Sequence, residues 1–180
     1  MLTALDYQLC QQDVHPTTMQ LVVRVESGEN AHAIGVVGGR LERQPKNEAE
    51  AVATVQNLEK LGFNYSVGVS QVNKIHFKRL GWDQRISTAF DACKNLKAGA
   101  QILKDCYTSA LRSGYTAGQS GLEAALSCYY SGSFTRGAQL GYVHKVLHPH
   151  VKRQSQTKPL SIASQTSPRS MTVEATFFQP

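Results

Sequence analysis

The stretch Leu21-Val22-Val23-Arg24-Val25-Glu26-Ser27-Gly28 decides how this chain folds around its candidate chemistry. It ends a segment that begins at Pro16, and proline suits the first turn of a helix because its missing N–H would be unpaired there. Gly28 suits the left-handed residue that ends a helix. We therefore predict a helix over 16–27. One face of this helix carries residues at the spacing i, i+3, i+4 and i+7, and these residues are Met19, Val22, Val23 and Glu26.

Glu26 is the acid on this otherwise apolar face. Burial disfavours the ionised form of a carboxyl group and raises its pKa. A carboxyl that stays protonated near neutral pH can donate a proton to a leaving group. The alternative is a glutamate at a helix end that extends its carboxylate into water. The fragment alone does not separate the two interpretations.

Length and composition limit the class of protein. A chain of 180 residues is one domain, or one domain with a tail, and its hydrophobic fraction of 41% can form a core. No stretch approaches the roughly 18 apolar residues of a membrane helix, so we expect no membrane insertion. The formal net charge of +6 suits nucleic acid, an anionic membrane or an acidic polymer such as cell wall. Because the basic residues are scattered, we do not expect a nucleic-acid partner.

The chain contains four widely spaced cysteines, Cys10, Cys93, Cys106 and Cys128. No C-x-x-C is present, which argues against a zinc site or a thioredoxin-like motif. Cys93 and Cys106 should not pair, since a helix would separate them by roughly 20 Å and a disulfide tolerates about 7 Å between Cα atoms. In an exported protein Cys10 would pair with Cys93 or Cys106, and Cys128 with the other. Four reduced, buried thiols are the alternative.

Apolar spacing and turn residues predict the order of elements. Helices are predicted over 2–12, from Asn47 to Gly62, and over 72–80, 95–112, 121–131 and 137–148. Asn47 with Glu50 and Ser120 with Glu123 form capping pairs. Gly38-Gly39 predicts a tight hairpin, and alternation in 63–70 predicts an extended segment. The order is helix-dominated with one small β element, which is an α+β fold.

The composition changes at about residue 151. The tail is rich in Ser, Gln, Thr and Pro. We therefore predict a domain over 1–150 and a polar, flexible tail over 151–180 that is mostly disordered. Phe177-Phe178 would be a docking handle for a partner or a frayed end.

Three blocks carry a family resemblance: Val25-Glu26-Ser27-Gly28, Gly68-Val69-Ser70-Gln71-Val72-Asn73 and Ala125-Leu126-Ser127-Cys128-Tyr129-Tyr130-Ser131-Gly132. In this order and at these separations they resemble the lytic transglycosylases of the goose-type lysozyme family. The closer resemblance is to the subgroup that accompanies bacterial type IV secretion systems. Matching flanks extend the resemblance over roughly 8–148, and they include Val14-His15-Pro16-Thr17, Ala33-Ile34-Gly35-Val36, Gly38-Gly39-Arg40-Leu41, Arg79-Leu80-Gly81 and Asn95-Leu96-Lys97-Ala98-Gly99-Ala100.

The resemblance implies a lysozyme-like fold in which Glu26 is the sole catalytic acid and base, without a cofactor. Glu26 would protonate the glycosidic oxygen between N-acetylmuramic acid and N-acetylglucosamine. It would then take a proton from the C6 hydroxyl, which closes a 1,6-anhydro ring. Lysozymes that hydrolyse generally use a second carboxylate, and none lies in the three blocks; Glu29, Asp13 and Asp83 look like loop or cap residues.

The same resemblance assigns the other site residues. Ser70 and Gln71 would line the cleft, with Gln71 offering a donor and acceptors to an N-acetyl group. Asn73 would hold the cleft backbone rather than contact substrate. Tyr129 would direct its hydroxyl toward Glu26, and a plain core aromatic is the alternative.

Ser27 would hydrogen-bond to backbone or to a peptide stem, and a simple C-terminal cap is the alternative. Two positions depart from the family, which commonly has Asn or a small polar residue at Tyr130 and Asn at Ser133; the departures weaken inferences about one end of the cleft. His144 and His148 lie four residues apart, and we interpret them as exposed basic residues rather than as metal ligands.

The expected function is cleavage of peptidoglycan glycan strands that opens the wall locally for a secretion or conjugation apparatus. Secretion-system components would bind through the tail, and the location would be the periplasm or cell envelope. No signal peptide is visible, so either it was removed or the chain is not exported by that route. A hydrolytic muramidase and a non-catalytic wall-binding scaffold are the alternatives.

Overall fold

The computed structural model describes residues 2–11, 13–148 and 174–175. The helices are α1 (Ala4–Leu9), α2 (Pro16–Glu26), α3 (Glu48–Lys60), α4 (Phe77–Leu80), α5 (Ala92–Arg112), α6 (Gln119–Ser131), α7 (Arg136–Gln139) and α8 (Tyr142–Leu147). The strands are β1 (Ile34–Val36), β2 (Gly39–Arg40), β3 (Tyr65–Val67), β4 (Val72–Asn73) and β5 (Glu174–Ala175). Short 3-10 turns cover Lys74–His76 and Ile86–Phe90. The predicted α+β class is confirmed.

The helix that carries Glu26 forms where the sequence predicts it. Pro16 is the first residue of α2, Ser27 is its C-cap, and Gly28 follows in the left-handed region at φ 60°. α3 also begins as predicted, since the side chain of Asn47 accepts a hydrogen bond from the Glu50 backbone N–H at 2.9 Å. These helix ends depend on residues next to them in the chain, which is why the sequence pattern predicts where they lie.

Other predicted boundaries are wrong. α6 begins at Gln119 after Gly118, without a side-chain cap, so the Ser120–Glu123 capping box does not form. The predicted helix over 137–148 is two short helices, because the left-handed Gly141 (φ 78°) separates α7 from α8. The segment predicted as a helix over 72–80 begins as strand β4 and becomes α4 only at Phe77.

The small sheet is antiparallel with the order β1-β3-β4. The hairpin predicted at Gly38-Gly39 does not form, since β1 pairs with β3 (Ile34 opposite Val67) and β2 pairs with β5. When β1 pairs with β3, the apolar side chains of both strands are buried in the same cluster. This burial stabilises the pairing more than a two-residue ladder between β1 and β2 would.

The core consists of two hydrophobic clusters. One packs α2 against α5, α6 and α8, and the other packs the sheet against α3. The long helix α5 contributes Leu96 and Leu103 to the first cluster and Ala98 to the second. Since both clusters share this helix, α5 sets the position of the sheet relative to α2.

Asn95 joins the two clusters by hydrogen bonds. Its fully buried side chain donates from Nδ2 to the carbonyls of Val67 at 2.9 Å and Ala89 at 2.8 Å. Its Oδ1 accepts from the backbone N–H of Ser70 at 2.8 Å. One amide thus satisfies three buried backbone groups that would otherwise be left without partners.

All four cysteines form disulfides, Cys10–Cys93 and Cys106–Cys128, which is one of the two pairings that the sequence left open. The first connects the end of α1 to the start of α5, and the second connects α5 to α6. Each bond restricts the unfolded chain and therefore stabilises the fold. Among the described helices, none has the length and apolar character needed to span a membrane. Within the tail predicted to be disordered, the structure describes Glu174 and Ala175, which form β5 against β2. The rest of that tail, including the Phe177-Phe178 handle, lies outside the described residues.

We predict that Asn95→Ala lowers the free energy of unfolding by about 3 kcal/mol, because three buried backbone groups lose their partner. Urea denaturation followed by circular dichroism measures the change. Gln101→Ala is the control on the same helix, since its amide bonds to Asp105 at the surface. Equal midpoints for the two variants would contradict the role given to Asn95.

Candidate active site

A cleft of about 1090 Å³ lies between the sheet and helices α6 and α7. Its lining on the sheet side includes Gly35, Asn64, Ser66, Gln71 and Asn73. Its lining on the helical side includes Tyr129, Tyr130, Arg136 and Leu140, and Glu26 lies in the same cleft. A cleft of this volume accommodates a ligand of several rings.

Glu26 is the last residue of α2 and lines the cleft; the residue as a whole is half-buried. Burial raises the pKa of this carboxyl to about 7, and a hydrogen bond from Tyr142 lowers it in part. In a substantial fraction of the molecules, Glu26 is therefore protonated at neutral pH. Of the two interpretations of this glutamate, the structure supports the buried acid.

Tyr142, the first residue of α8, is the hydrogen-bond partner of Glu26. Its hydroxyl donates to Glu26 Oε1 at 2.6 Å. The prediction that Tyr129 directs its hydroxyl to Glu26 is wrong, because that hydroxyl donates to the carbonyl oxygen of Ser70 at 2.5 Å. Sequence analysis missed Tyr142 because it looks like an apolar member of its helix. The one signal that could have identified Tyr142 is that a buried tyrosine hydroxyl needs a hydrogen-bond partner.

Tyr130 packs on Tyr142 from the cleft side. The two rings are stacked, with centroids 4.5 Å apart and an interplanar angle of 15°. Tyr130 is 47% exposed and lines the cleft, whereas Tyr142 is 4% exposed. The stack therefore restricts the Tyr142 ring, and so its hydroxyl, from the open side of the site.

Ser70 does not line the cleft, so that prediction is wrong. It is fully buried, and its side chain faces α5 at Gly99, where a Cβ atom would collide with it. Its contribution comes from the backbone, because its N–H donates to Asn95 and its carbonyl accepts from Tyr129.

Gln71 lines the cleft in a left-handed conformation at φ 47°. Its Nε2 donates to the carbonyls of Ala33 at 3.1 Å and Gly68 at 3.0 Å. Both amide hydrogens are thereby used within the protein. The remaining polar atom, Oε1, lies beside Gly35 of the cleft lining and can act only as an acceptor, rather than as the donor and acceptors that the resemblance implies.

Asn73 and Ser27 both bind backbone. Asn73 Oδ1 accepts from the N–H of Ile75 at 3.1 Å, which agrees with a residue that holds the cleft wall. The hydroxyl of Ser27 donates to the carbonyl of Val69 at 2.8 Å and so attaches the end of α2 to the β3–β4 turn.

His144 and His148 lie with their ring centroids 4.6 Å apart on α8 and the residue after it. Within the described ranges, no three or more metal-ligating side chains form a group that could hold a metal ion.

Comparison with known proteins agrees with this architecture. Residues 4–147 match the family model of the transglycosylase SLT domain, and the chain belongs to this family. Type IV secretion system protein virB1 of Brucella suis biovar 1 (strain 1330) is 45% identical over 160 residues, which cover 86% of this chain and 65% of that protein. Protein virB1 of Agrobacterium fabrum (strain C58) is 32% identical over 141 residues, which cover 76% of this chain and 54% of that protein. The family resemblance seen in the sequence is thus confirmed, and the chain spans less than two thirds of these relatives. No solved structure matches it significantly.

We predict that Tyr142→Phe raises the pKa of Glu26 above about 7, because the hydrogen bond that favours the carboxylate is lost. Tyr129→Phe is the matched control, since its hydroxyl bonds to Ser70 instead. A titration of the ¹³C-labelled glutamate carboxyl by NMR compares the two. A larger shift in Tyr129→Phe would contradict the assignment.

We also predict a pH-dependent stability difference between the wild type and Glu26→Gln. Since the folded-state pKa of Glu26 lies at about 7, above the ordinary 4.5, the stability that this group contributes is complete below pH 4.5 and is lost as pH rises through 7. The glutamine variant should therefore gain up to about 3 kcal/mol over the wild type across this interval. Denaturation at pH 4, 6 and 8 measures it, with Glu123→Gln on α6 as a surface control. A constant difference would contradict the buried acid.

Proposed function

We propose that this protein is a lytic transglycosylase that cleaves the β-1,4 bond between N-acetylmuramic acid and N-acetylglucosamine in peptidoglycan. The observation that carries the proposal is a single acid, Glu26, in the cleft. Among the described residues that line it, no second carboxylate accompanies Glu26. Membership of the transglycosylase SLT domain family supports the same reaction class.

In the first step, protonated Glu26 donates its proton to the glycosidic oxygen. The bond between this oxygen and C1 of the muramoyl sugar breaks, and the N-acetylglucosamine leaves as the alcohol. Positive charge develops at C1, while Glu26 becomes a carboxylate. Since Oε1 accepts from Tyr142, Oε2 is the oxygen available to carry the proton. The Tyr142 hydroxyl then stabilises the carboxylate by a charge-assisted hydrogen bond.

In the second step, the carboxylate of Glu26 takes the proton of the C6 hydroxyl on the same muramoyl sugar. O6 attacks C1 and closes the 1,6-anhydro ring, which restores the protonated acid. A pKa of about 7 suits a group that must act as acid and then as base at neutral pH. Activity should therefore decline as pH rises above 7, where the starting acid is ionised.

Gln71 is a substrate-binding residue in this proposal. With both amide hydrogens bound to backbone carbonyls, its Oε1 accepts a hydrogen bond from the N–H of an N-acetyl group. Asn73 and Ser27 hold the walls, and the buried Ser70 holds the turn between them.

A hydrolytic muramidase is the alternative reaction, and it would replace the C6 hydroxyl by water. Such an enzyme generally places a second carboxylate across the cleft, and the described lining contains none. A non-catalytic wall-binding scaffold would have no need of an acid whose pKa is raised to about 7.

The biological setting follows from the relatives whose names place them in type IV secretion systems. In this setting the protein acts in the periplasm or cell envelope and opens the wall locally for a secretion or conjugation apparatus. Binding of secretion components through the tail belongs to the same proposal.

We predict that Glu26→Gln abolishes cleavage of purified sacculi while it keeps the fold and wall binding, because the proton donor is lost and the shape is kept. Glu29→Gln, three residues along, is the control that should retain activity. Mass spectrometry of the released muropeptides identifies the reaction. Reducing ends in place of 1,6-anhydro ends would identify a muramidase, and cleavage by Glu26→Gln would remove the single-acid mechanism.

A further inference from the structure

The lining of the cleft carries one positive charge that no permanent negative charge in the described lining balances. Among the described lining residues, Arg136 is the one with a permanent charge, and the titratable ones are Glu26, His76 and the tyrosines Tyr129 and Tyr130. Burial, and then the nearby Arg79, lowers the pKa of His76 from 6.5, which favours the neutral form of this histidine at pH 7. When Glu26 holds its proton, the guanidinium of Arg136 is therefore the net charge of the cleft.

This guanidinium has no ion-pair partner within the part of the chain that the structure describes. Other cations form ion pairs there, among them Arg43, Lys74, Arg79 and Lys104. The hydrogen bonds of Arg136 are made by its backbone: its N–H donates to Ser133 Oγ at 3.4 Å, and its carbonyl accepts from the N–H of Leu140 at 3.0 Å. A guanidinium presents a planar set of donors that matches a carboxylate, and Arg136 is one of the residues that line the cleft.

The backbone beneath Arg136 is fixed. The N–H of Gly137 donates to Oγ of the buried Ser127 at 2.8 Å, and that hydroxyl in turn donates to the carbonyl of Ser133 at 2.6 Å. A Cβ atom at Gly137 would lie 2.7 Å from Ser127 Cα, so α7 is in close contact with α6. Arg136 is thus an exposed side chain on a fixed backbone, which limits the backbone entropy lost when it binds a ligand.

We infer that Arg136 binds the carboxylate carried by the muramoyl side chain of the substrate. This inference rests on the proposed function. Of the two sugars in the glycan, N-acetylmuramic acid alone bears a lactyl group, and this group ends in a free carboxylate or in a peptide with its own carboxylates. Contact with Arg136 would position the muramoyl ring and distinguish peptidoglycan from uncharged polymers of N-acetylglucosamine.

Three substrates test the inference: glycan strands with peptide stems, strands freed of peptide by an amidase, and chitin oligosaccharides, which have no carboxylate. Binding is measured in the Glu26→Gln background, so that the result does not depend on cleavage. Arg136→Gln should weaken binding of carboxylate-bearing strands roughly fivefold to tenfold, as expected for one charge-assisted contact. Arg136→Lys should recover part of the loss, and Arg112→Gln, an exposed arginine outside the cleft, is the control.

The outcomes separate the two carboxylate sources. A loss confined to peptide-bearing strands identifies a peptide carboxylate, and a loss that persists on peptide-free strands identifies the lactyl carboxylate. In the active protein, either result should raise KM while kcat stays within about twofold. No loss on either strand, or an equal loss on chitin oligosaccharides, overturns the inference. Failure of the proposed function is distinct, since the wild type would then release no 1,6-anhydro products.

Discussion

The buried amide of Asn95 is the contact on which the cleft depends. It binds the carbonyl of Val67 at the end of β3 and the N–H of Ser70 within the β3–β4 turn. The same turn accepts a hydrogen bond from Ser27 at the end of α2 and another from Tyr129 on α6. Three helices thus hold one turn through three side chains. Gly68 at φ 78° makes room for this arrangement, because a Cβ atom there would collide with Asn95.

The chemistry of the site results from two opposing effects on one carboxyl group. Burial favours the protonated form of Glu26, and the Tyr142 hydroxyl favours the carboxylate. Because burial dominates, the acid keeps its proton near neutral pH but can release it. Tyr130 packs on the ring of Tyr142 and so links this balance to the wall of the cleft. Tyr130 therefore has a structural role beside the acid.

Local signals explain which elements were predictable. Pro16, Asn47 and the long apolar stripe of α5 act within a few residues of their own position, and the helices they predict are present. The prediction of a hairpin at Gly38-Gly39 was wrong because β1 buries more apolar surface by pairing with β3. The prediction of one continuous last helix was wrong because Gly141 adopts a left-handed conformation inside an otherwise regular apolar pattern.

The sequence by itself determined that Glu26 is the last residue of a helix and lies on the apolar face of that helix. It also determined that the chain belongs with transglycosylases. Periodicity and motif order contain this information, since both are properties of the linear chain. Tertiary structure alone decided that Tyr142, 116 residues away, bonds to Glu26 while Tyr129 bonds to Ser70. It also selected Cys93 over Cys106 as the partner of Cys10. These choices depend on how α8 and α5 pack against the N-terminal helices, and no local spacing specifies such contacts.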